Sequence, residues 1–235
     1  MIPKLLHYCW FGGNQLSQLD KRCIESWKKY CPDFKIICWN ENNYDINTNW
    51  FVREAYRKRK WAFVSDYVRL DVIYKFGGVY LDTDVELIKE LTPLLKNNIY
   101  MGLEKIQIEK KGNYWINTGL GFGAEGRNAL LKDIMDIYEN ITAFNRSIFT
   151  PSPMIITNFL REKGIKDQNM TQMINDLIIY PTDFFSPKNF TTKQLEITSN
   201  TYSIHHYQNS WNNDCDVYKR DLKSIIWRLL TNESK

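Results

Sequence analysis

With 235 residues, of which 43% are apolar and 14% aromatic, the chain is long enough for one globular domain with a sizeable core. Its formal net charge of +4 is far below that of a typical nucleic-acid-binding domain, so we expect no nucleic-acid partner. No membrane span, signal peptide or Cys-x-x-Cys pair is found, which favours a cytoplasmic protein with reduced thiols and excludes a zinc or dithiol redox site.

The N-terminal part of the chain predicts a strand, a helix and a second strand. Lys4–Trp10 is predominantly apolar and ends at a glycine pair, as a buried strand does, and His7 is predicted to be a strand or core histidine. Asp20–Tyr30 has helical spacing, and Phe34–Trp39 is β-branched and aromatic. A βαβ unit of this length predicts a parallel sheet. Residues 40–49 form a polar connection without a predicted element.

A second helix and a short strand follow. From Phe63 to Phe76, apolar residues repeat at intervals of four, three and four, which predicts a helix with one apolar stripe. The pair Gly77-Gly78 predicts a left-handed stop for that helix. Residues 79–81, Val-Tyr-Leu, then predict a short strand.

The rest of the chain alternates short predicted strands with helices. The helices are predicted around Leu130–Tyr138 and Met154–Lys163. No repeat, linker or low-complexity segment stands out, so we expect a single α/β domain over residues 1–235.

Two carboxylates directly follow the strand predicted at 79–81. Asp82 and Asp84 are two residues apart, so in an extended chain they face the same side, at the edge where α/β sheets place their ligands. Hard oxygen ligands of this kind suit Mg²⁺ or Mn²⁺ completed by phosphate oxygens and water. An acidic turn is the alternative, because Asp-x-Asp alone is frequent.

The surrounding sequence extends this pattern. Residues 61–85 (WAFVSDYVRLDVIYKFGGVYLDTDV) resemble the sugar-nucleotide signature of glycosyltransferase family 32, and they are similar to the glucosylating domain of large clostridial toxins. Residues 2–13 resemble the family's first strand and donor loop, and residues 204–211 (IHHYQNSW) its C-terminal motif. The resemblance implies a GT-A-type fold, with a Rossmann-like mixed central sheet flanked by helices. It assigns residues 1–90 to nucleotide-sugar binding and residues 91–235 to the acceptor and a closing motif.

The resemblance also implies roles for single residues. Asp82 would face the ribose and a Mn²⁺ or Mg²⁺ ion, and Asp84 would ligate that ion directly. His206 would be a further metal ligand, with its neighbour His205 as the alternative. The residues implied in binding the donor are Trp10, which would stack on the base, Phe11, Gly12, Asp66, Arg69, Asp82, Thr83, and the pair Ser210 and Trp211, which would close over the diphosphate.

Three more polar residues complete the predicted catalytic set with Asp82 and Asp84. Asp66 and Arg69 are three apart on one helix face, where the family uses such a pair on sugar hydroxyls and phosphate oxygens. An ordinary intrahelical ion pair is the alternative. Asn117, in Trp-Ile-Asn-Thr-Gly, would hydrogen-bond the transferred sugar, unless it only ends a strand.

The resemblance implies a metal-dependent, retaining transferase. We expect transfer of galactose, glucose or an N-acetylhexosamine from a UDP-sugar to a glycan acceptor, lipid-linked, in capsule or O-antigen synthesis. The alternatives are a GDP-mannose-dependent mannosyltransferase, a toxin-like protein glycosyltransferase and an inactive sugar-nucleotide-binding module. Residues 216–235 predict a basic amphipathic helix that docks on the domain or contacts an anionic membrane at its inner face.

Overall fold

The computed structural model of the chain describes residues 1–108, 111–144, 150–190 and 192–208. Within these ranges, the strands are β1 (Leu5–Cys9), β2 (Lys35–Trp39), β3 (Gly78–Tyr80), β4 (Val85–Leu87), β5 (Ile99–Ile108), β6 (Lys111–Ile116), β7 (Phe122–Ala124), β8 (Gln172–Ile174), β9 (Leu177–Tyr180) and β10 (Ser203–His205). The helices are α1 (Gln18–Tyr30), α2 (Trp50–Arg57), α3 (Trp61–Phe76), α4 (Ala129–Phe144), α5 (Ser152–Glu162) and α6 (Thr182–Phe185), with a 3₁₀ helix at Thr92–Lys96.

The central sheet is mixed, as predicted. Its strand order is β2-β1-β3-β7-β5-β9-β8, and β6 pairs with β5 beside this path. Strand β1 is parallel to β2 and β3, and β5 is parallel to β9, whereas β7 is antiparallel to both of its neighbours. Strands β1, β3 and β5 therefore run in the same direction, and their carboxyl ends lie at one edge of the sheet.

The predicted β1–α1–β2 unit is confirmed. The two strands pair in parallel, with Leu6 opposite Ile36. Helix α1 begins with a capping box in which the Ser17 hydroxyl accepts from the backbone N–H of Asp20 and the Asp20 carboxylate accepts from that of Ser17. Local signals therefore suffice for this part of the fold.

Helix α3 corrects the prediction of a single apolar stripe. Eleven of its sixteen residues are buried, including the polar Asp66, Arg69 and Asp71. The helix packs against β1 and β3 on one side and against α2 and α4 on the other, so it is covered on nearly every face. It stops where predicted, at Gly77, whose φ of 65° lies in the left-handed region.

Two elements were missed or mispredicted. Helix α2 follows the polar connection directly, and the Asn49 side chain caps it by accepting from the backbone N–H of Phe51. The expectation of short strands in the rest of the chain, after residue 85, is wrong for β5, which is ten residues long. The first four residues of β5 belong to the central sheet, and Leu103–Ile108 forms an antiparallel hairpin with β6.

A small second sheet connects distant parts of the chain. Strand β10 pairs antiparallel with β4, with His205 opposite Val85. The indole N–H of Trp27 in α1 donates to the carbonyl of Val85 at 2.7 Å, which fixes this sheet against α1. Because β4 begins one residue after Asp84, the pairing places β10 beside the two carboxylates. No helix in the described part of the chain is both long and apolar enough to cross a membrane.

Candidate active site

The predicted carboxylate pair lies at the carboxyl edge of the sheet. Asp82 and Asp84 follow β3, and both side chains are largely buried. The Tyr80 hydroxyl donates to Asp82 Oδ1 at 3.0 Å, and the backbone N–H of Asp82 donates to the carbonyl of Gly119 at 3.0 Å. Gly119 is required here, since a Cβ would lie well inside contact distance of Asp82 Oδ2 and 3.0 Å from the Arg69 guanidinium. The Tyr80 hydroxyl thus holds one oxygen of the Asp82 carboxylate, and the Gly119 carbonyl holds the Asp82 backbone.

Arg69 lies at the centre of the acidic residues. Its guanidinium contacts Asp66 Oδ1 and Asp82 Oδ1, each at 3.2 Å, and its Nε donates to the carbonyl of Ser65. The guanidinium carbon also lies 4.9 Å from the centre of the Tyr80 ring. The Asp66–Arg69 contact is thus an intrahelical ion pair that extends to the carboxylate after β3.

Burial and mutual charge set the protonation of this group. Burial raises the pKa of Asp66 to about 6, with Arg69 opposing the rise. Burial likewise raises the pKa of Asp82, again opposed by Arg69. Burial alone would lower the pKa of Arg69, but Asp82, Tyr80 and Asp66 together outweigh burial and raise it. Arg69 is therefore a permanent positive charge between two carboxylates.

Asp84 is bound by β10 and the segment after it. His205 Nε2 lies 3.2 Å from Asp84 Oδ1, and the backbone N–H of Gln208 donates to Asp84 Oδ2 at 2.9 Å. Burial opposes ionisation of Asp84, but His205 outweighs it and lowers the pKa of the carboxyl group to about 2. Burial acts against the charged imidazole too, and Asp84 nevertheless raises the pKa of His205 to about 9. At neutral pH the two form an ion pair.

The structure separates the two candidate histidines. Nε2 of His206, the predicted metal ligand, lies 2.7 Å from Glu86 Oε2, whereas Nε2 of His205 lies against the Asp84 carboxylate. The reason is the period of a strand, because consecutive side chains point to opposite faces. The geometry therefore places the His205 imidazole, the alternative considered above, beside Asp84, and the His206 imidazole beside Glu86.

Asn117 is held by groups that the sequence analysis did not identify. Its side-chain N–H donates to Glu104 Oε2 at 2.9 Å, and its side-chain oxygen accepts from the backbone N–H of Gly119 at 2.7 Å. Glu104 is buried and lies in β5, which β7 separates from β3, the strand that precedes Asp82 and Asp84. An isolated Glu in an alternating strand carries no local signal for a site, which explains why it was missed.

The loop after β1 carries the other predicted donor-binding residues. The Trp10 indole N–H donates to the carbonyl of Asn14 at 2.6 Å, and its ring is half-buried. Gly12 has a φ of 90°, and a Cβ there would lie 2.6 Å from the Trp61 ring. This close approach places the loop against the first turn of α3.

Two further donor-binding predictions fall on buried positions. The Phe11 ring is 5% exposed and packs edge-on against Tyr44, so it contributes to the core. Thr83, between the two carboxylates, is also buried. Ser210, Trp211 and residues 216–235 lie outside the described residues.

The carboxylate oxygens at this edge of the sheet are suitable ligands for a hard divalent cation. Within the described ranges, no three His, Cys, Asp or Glu side chains form a ready-made metal cluster. Asp82 and Asp84 nevertheless offer carboxylate oxygens at one edge, and Mg²⁺ or Mn²⁺ in such sites takes its remaining ligands from phosphate and water. The missing Cβ of Gly119 leaves room beside Asp82 Oδ2.

Comparisons with known proteins agree with this geometry. Residues 17–101 match the family described as "Glycosyltransferase sugar-binding region containing DXD motif", where DXD corresponds to Asp82-Thr83-Asp84.

Two Schizosaccharomyces pombe proteins are similar to the chain. Inositol phosphoceramide mannosyltransferase 3 is 31% identical over 102 residues, or 40% of this chain and 27% of the relative. Inositol phosphoceramide mannosyltransferase 1 is 25% identical over 163 residues, or 66% of this chain and 47% of the relative. The chain thus spans less than half the length of these curated relatives.

Solved structures share the fold. The PaToxG glycosyltransferase superposes with a TM-score of 0.52 at 16% identity, covering 69% of this chain and 70% of that one. A glycosyltransferase involved in glycosylation of the major capsid of PBCV-1 also gives 0.52, at 11% identity, covering 90% and 98%. The expected GT-A fold and the resemblance of residues 61–85 to a glycosyltransferase signature are both confirmed.

Proposed function

We propose that the chain transfers a hexose from a nucleoside diphosphate sugar to an acceptor hydroxyl, because residues 17–101 match the family of glycosyltransferase sugar-binding regions that contain a DXD motif. The observation that carries the proposal is the cluster of Asp66, Arg69 and Asp82. It joins two parts of the matched region through buried charged groups; such groups are costly to bury even when paired, and clusters of them are common at functional sites. An acidic turn, the alternative for Asp-x-Asp, would not need a buried arginine.

The chain's own residues suit a diphosphate leaving group. Two negative charges develop on the diphosphate as the sugar departs, and Arg69 offers a fixed positive charge in a largely buried site. A divalent cation held by Asp82 and Asp84, with His205 beside Asp84, would supply further charge neutralisation when bound. In this proposal Asp66 binds sugar hydroxyls, and Asn117 binds the transferred sugar near the reacting carbon.

Retention of anomeric configuration is part of the proposal. Each carboxylate of the site already has a partner: Asp66 and Asp82 contact Arg69, Asp84 contacts His205, and Glu104 accepts from Asn117. None of them stands free as a nucleophile in the described part of the chain. We therefore propose same-face internal return. The acceptor oxygen bonds to the anomeric carbon, the bond to the phosphate oxygen breaks, and that phosphate oxygen takes the acceptor's proton.

Two donors are considered. Stacking of a base on Trp10 led us to expect a uracil nucleotide, hence a UDP-hexose. The curated relatives named above are mannosyltransferases, which favours GDP-mannose as the second candidate. Both relatives are named for inositol phosphoceramide, and this supports a lipid-borne hydroxyl as the acceptor. Involvement in capsule or O-antigen synthesis remains a prediction.

The test is calorimetric binding of UDP and of GDP, each with and without Mn²⁺. We expect one nucleotide to bind in a metal-dependent manner to the wild type and to lose that dependence in Asp84→Asn. Asp136→Asn is the matched control, because it makes the same change at an exposed position that pairs only with Lys132 in the interactions described. It is expected to bind like the wild type.

The outcomes separate the candidates. Preference for UDP supports a UDP-hexose donor, and preference for GDP supports mannosyl transfer. If neither nucleotide binds with Mn²⁺, the transferase proposal is refuted. Proton NMR of the glycoside formed with the matching donor then reports the anomeric configuration, and inversion would refute internal return.

A further inference from the structure

Glu104 is a buried carboxylate that the proposed reaction does not yet use. It lies in β5, opposite Trp115 of β6, and is 6% exposed. In the described part of the chain no Lys or Arg lies within ion-pair distance of it. A buried carboxylate without a fixed positive partner is expensive, so its position calls for a specific explanation.

One oxygen of Glu104 is connected to Asp82. Glu104 Oε2 accepts from the Asn117 amide at 2.9 Å, and the Asn117 side-chain oxygen accepts from the Gly119 N–H at 2.7 Å. The Gly119 carbonyl in turn accepts from the Asp82 N–H at 3.0 Å. Three successive hydrogen bonds thus fix the backbone that carries the first DXD carboxylate.

The other oxygen is directed to the histidine beside Asp84. Glu104 Oε1 lies 3.9 Å from His205 Nδ1, while His205 Nε2 lies 3.2 Å from Asp84 Oδ1. His205 Nδ1 is buried and has no hydrogen-bond partner in the described structure. The Tyr207 ring lies 4.2 Å from the imidazole, centre to centre, and restricts its rotation. A movement of about 1 Å would bring Glu104 into hydrogen-bond distance of Nδ1.

We propose that Glu104 is a positioning residue that orients Asn117 and His205, and through them both carboxylates of the DXD motif. The inference rests on the proposed function. A metal-ligating histidine usually donates its other ring N–H to a carboxylate, which fixes the ring and its tautomer. Glu104 is the carboxylate on the Nδ1 side of His205, and it simultaneously holds the amide expected at the transferred sugar.

The test compares Glu104→Gln with Glu86→Gln in the full chain. Both variants neutralise a carboxylate that faces a histidine, but Glu86 faces the His206 imidazole, whereas the imidazole that lies against the Asp84 carboxylate is that of His205. Mn²⁺ affinity is measured by electron paramagnetic resonance of the free ion, with the nucleoside diphosphate that the wild type binds in excess. We expect roughly tenfold weaker Mn²⁺ binding for Glu104→Gln, and an affinity within about twofold of the wild type for Glu86→Gln.

A second readout reports the orientation directly. The chain has three histidines, so imidazole ¹⁵N spectra of the Mg²⁺- and nucleotide-bound protein can be assigned with single His→Asn variants. We expect a slowly exchanging Nδ1 proton on His205 in the wild type and in Glu86→Gln, and fast exchange in Glu104→Gln. Glu104→Asp, which retains the charge but withdraws it by one methylene, is expected to weaken Mn²⁺ binding as well, and it replaces Glu104→Gln if the latter does not fold.

Each outcome is decisive. If both folded Glu104 variants bind Mn²⁺ as the wild type does, or lose only melting temperature, Glu104 is merely structural and the inference is wrong. If the wild type itself binds no Mn²⁺ with either nucleotide, the proposed function fails, and the inference that depends on it fails too. Weaker Mn²⁺ binding confined to the Glu104 variants supports the inference.

Discussion

His7 provides a quantitative test of how the core beneath the site is built. This histidine of β1 is fully buried beside the rings of Trp39 and Phe76, which also stack on each other. The Trp39 indole N–H donates to His7 Nδ1 at 3.0 Å, and His7 Nε2 lies 2.9 Å from the carbonyl of Gly77. An indole nitrogen can only donate, so Nδ1 must be the acceptor and Nε2 must carry the proton. The imidazole is therefore held neutral.

The pKa of His7 gives the sign and size of the effect. Burial lowers the pKa from 6.5 to about 4, although the hydrogen bond to Gly77 acts in the opposite direction. The unfolded chain therefore binds a proton near pH 6.5, and the folded chain does not until about pH 4. The contribution to stability is complete above about pH 6.5 and is lost as the pH falls towards 4. At 1.36 kcal/mol per pKa unit, the full loss is about 3 kcal/mol, of which about 2 kcal/mol is lost by pH 5.

The perturbation is His7→Gln, which removes the titration and retains an amide for hydrogen bonding. Urea unfolding is followed by circular dichroism for the wild type and the variant, at about pH 7.5 and about pH 5. Because Asp66 and His205 also titrate differently in the folded state, only the difference between the two proteins isolates His7. We expect the stability advantage of the wild type to shrink by about 2 kcal/mol at the lower pH. An advantage that stays constant or grows would refute the assignment of a neutral, buried imidazole.

Four other substitutions test the site. Gly119→Ala places a Cβ against Asp82 and should destabilise the fold by about 1–3 kcal/mol in urea unfolding, with loss of Mn²⁺-dependent nucleotide binding in calorimetry. Nucleotide binding equal to the wild type would contradict the close contact. Arg69→Met leaves its two carboxylate partners buried without a counter-charge, and we expect a cost of about 3–5 kcal/mol in the same unfolding assay. A cost below about 1 kcal/mol would show that the carboxylates are hydrated. His205→Asn should weaken Mn²⁺ binding about tenfold by electron paramagnetic resonance, whereas His206→Asn should leave it within about twofold, and the reverse order would restore His206 as the ligand.

The first half of the fold could be predicted well from the sequence. The β1–α1–β2 unit, α3 and β3 each carry their own periodicity and their own stop signals, such as Gly77 at the end of α3. Helix α2 had a usable signal that was overlooked, because Asn49 stands as an N-cap directly before Trp50, Phe51 and Val52. The extent of β5 could not be predicted, since its outer part, Leu103–Ile108, pairs with β6 and not with the central sheet strands.

The residues of the candidate site likewise fall into those proposed from the sequence and those recognised only in the structure. Asp66, Arg69, Asp82 and Asp84 were proposed from the sequence, because all four lie in the segment 61–85 that resembles the family signature, and helical or extended spacing places each pair on one side. The choice between His205 and His206 was not available from the sequence. It depends on the register in which β10 pairs with β4, because a shift of one residue would exchange the faces on which the two histidine side chains lie.

The sequence by itself thus determined the carboxylates, the arginine and the strand edge on which they lie. Only the tertiary structure decided that Glu104, Asn117, Gly119 and His205 surround them. The physical reason is that these four reach the site through strand pairing and loop packing between segments separated by tens of residues along the chain. Such contacts follow from long-range register and burial, and no local pattern of residues encodes them.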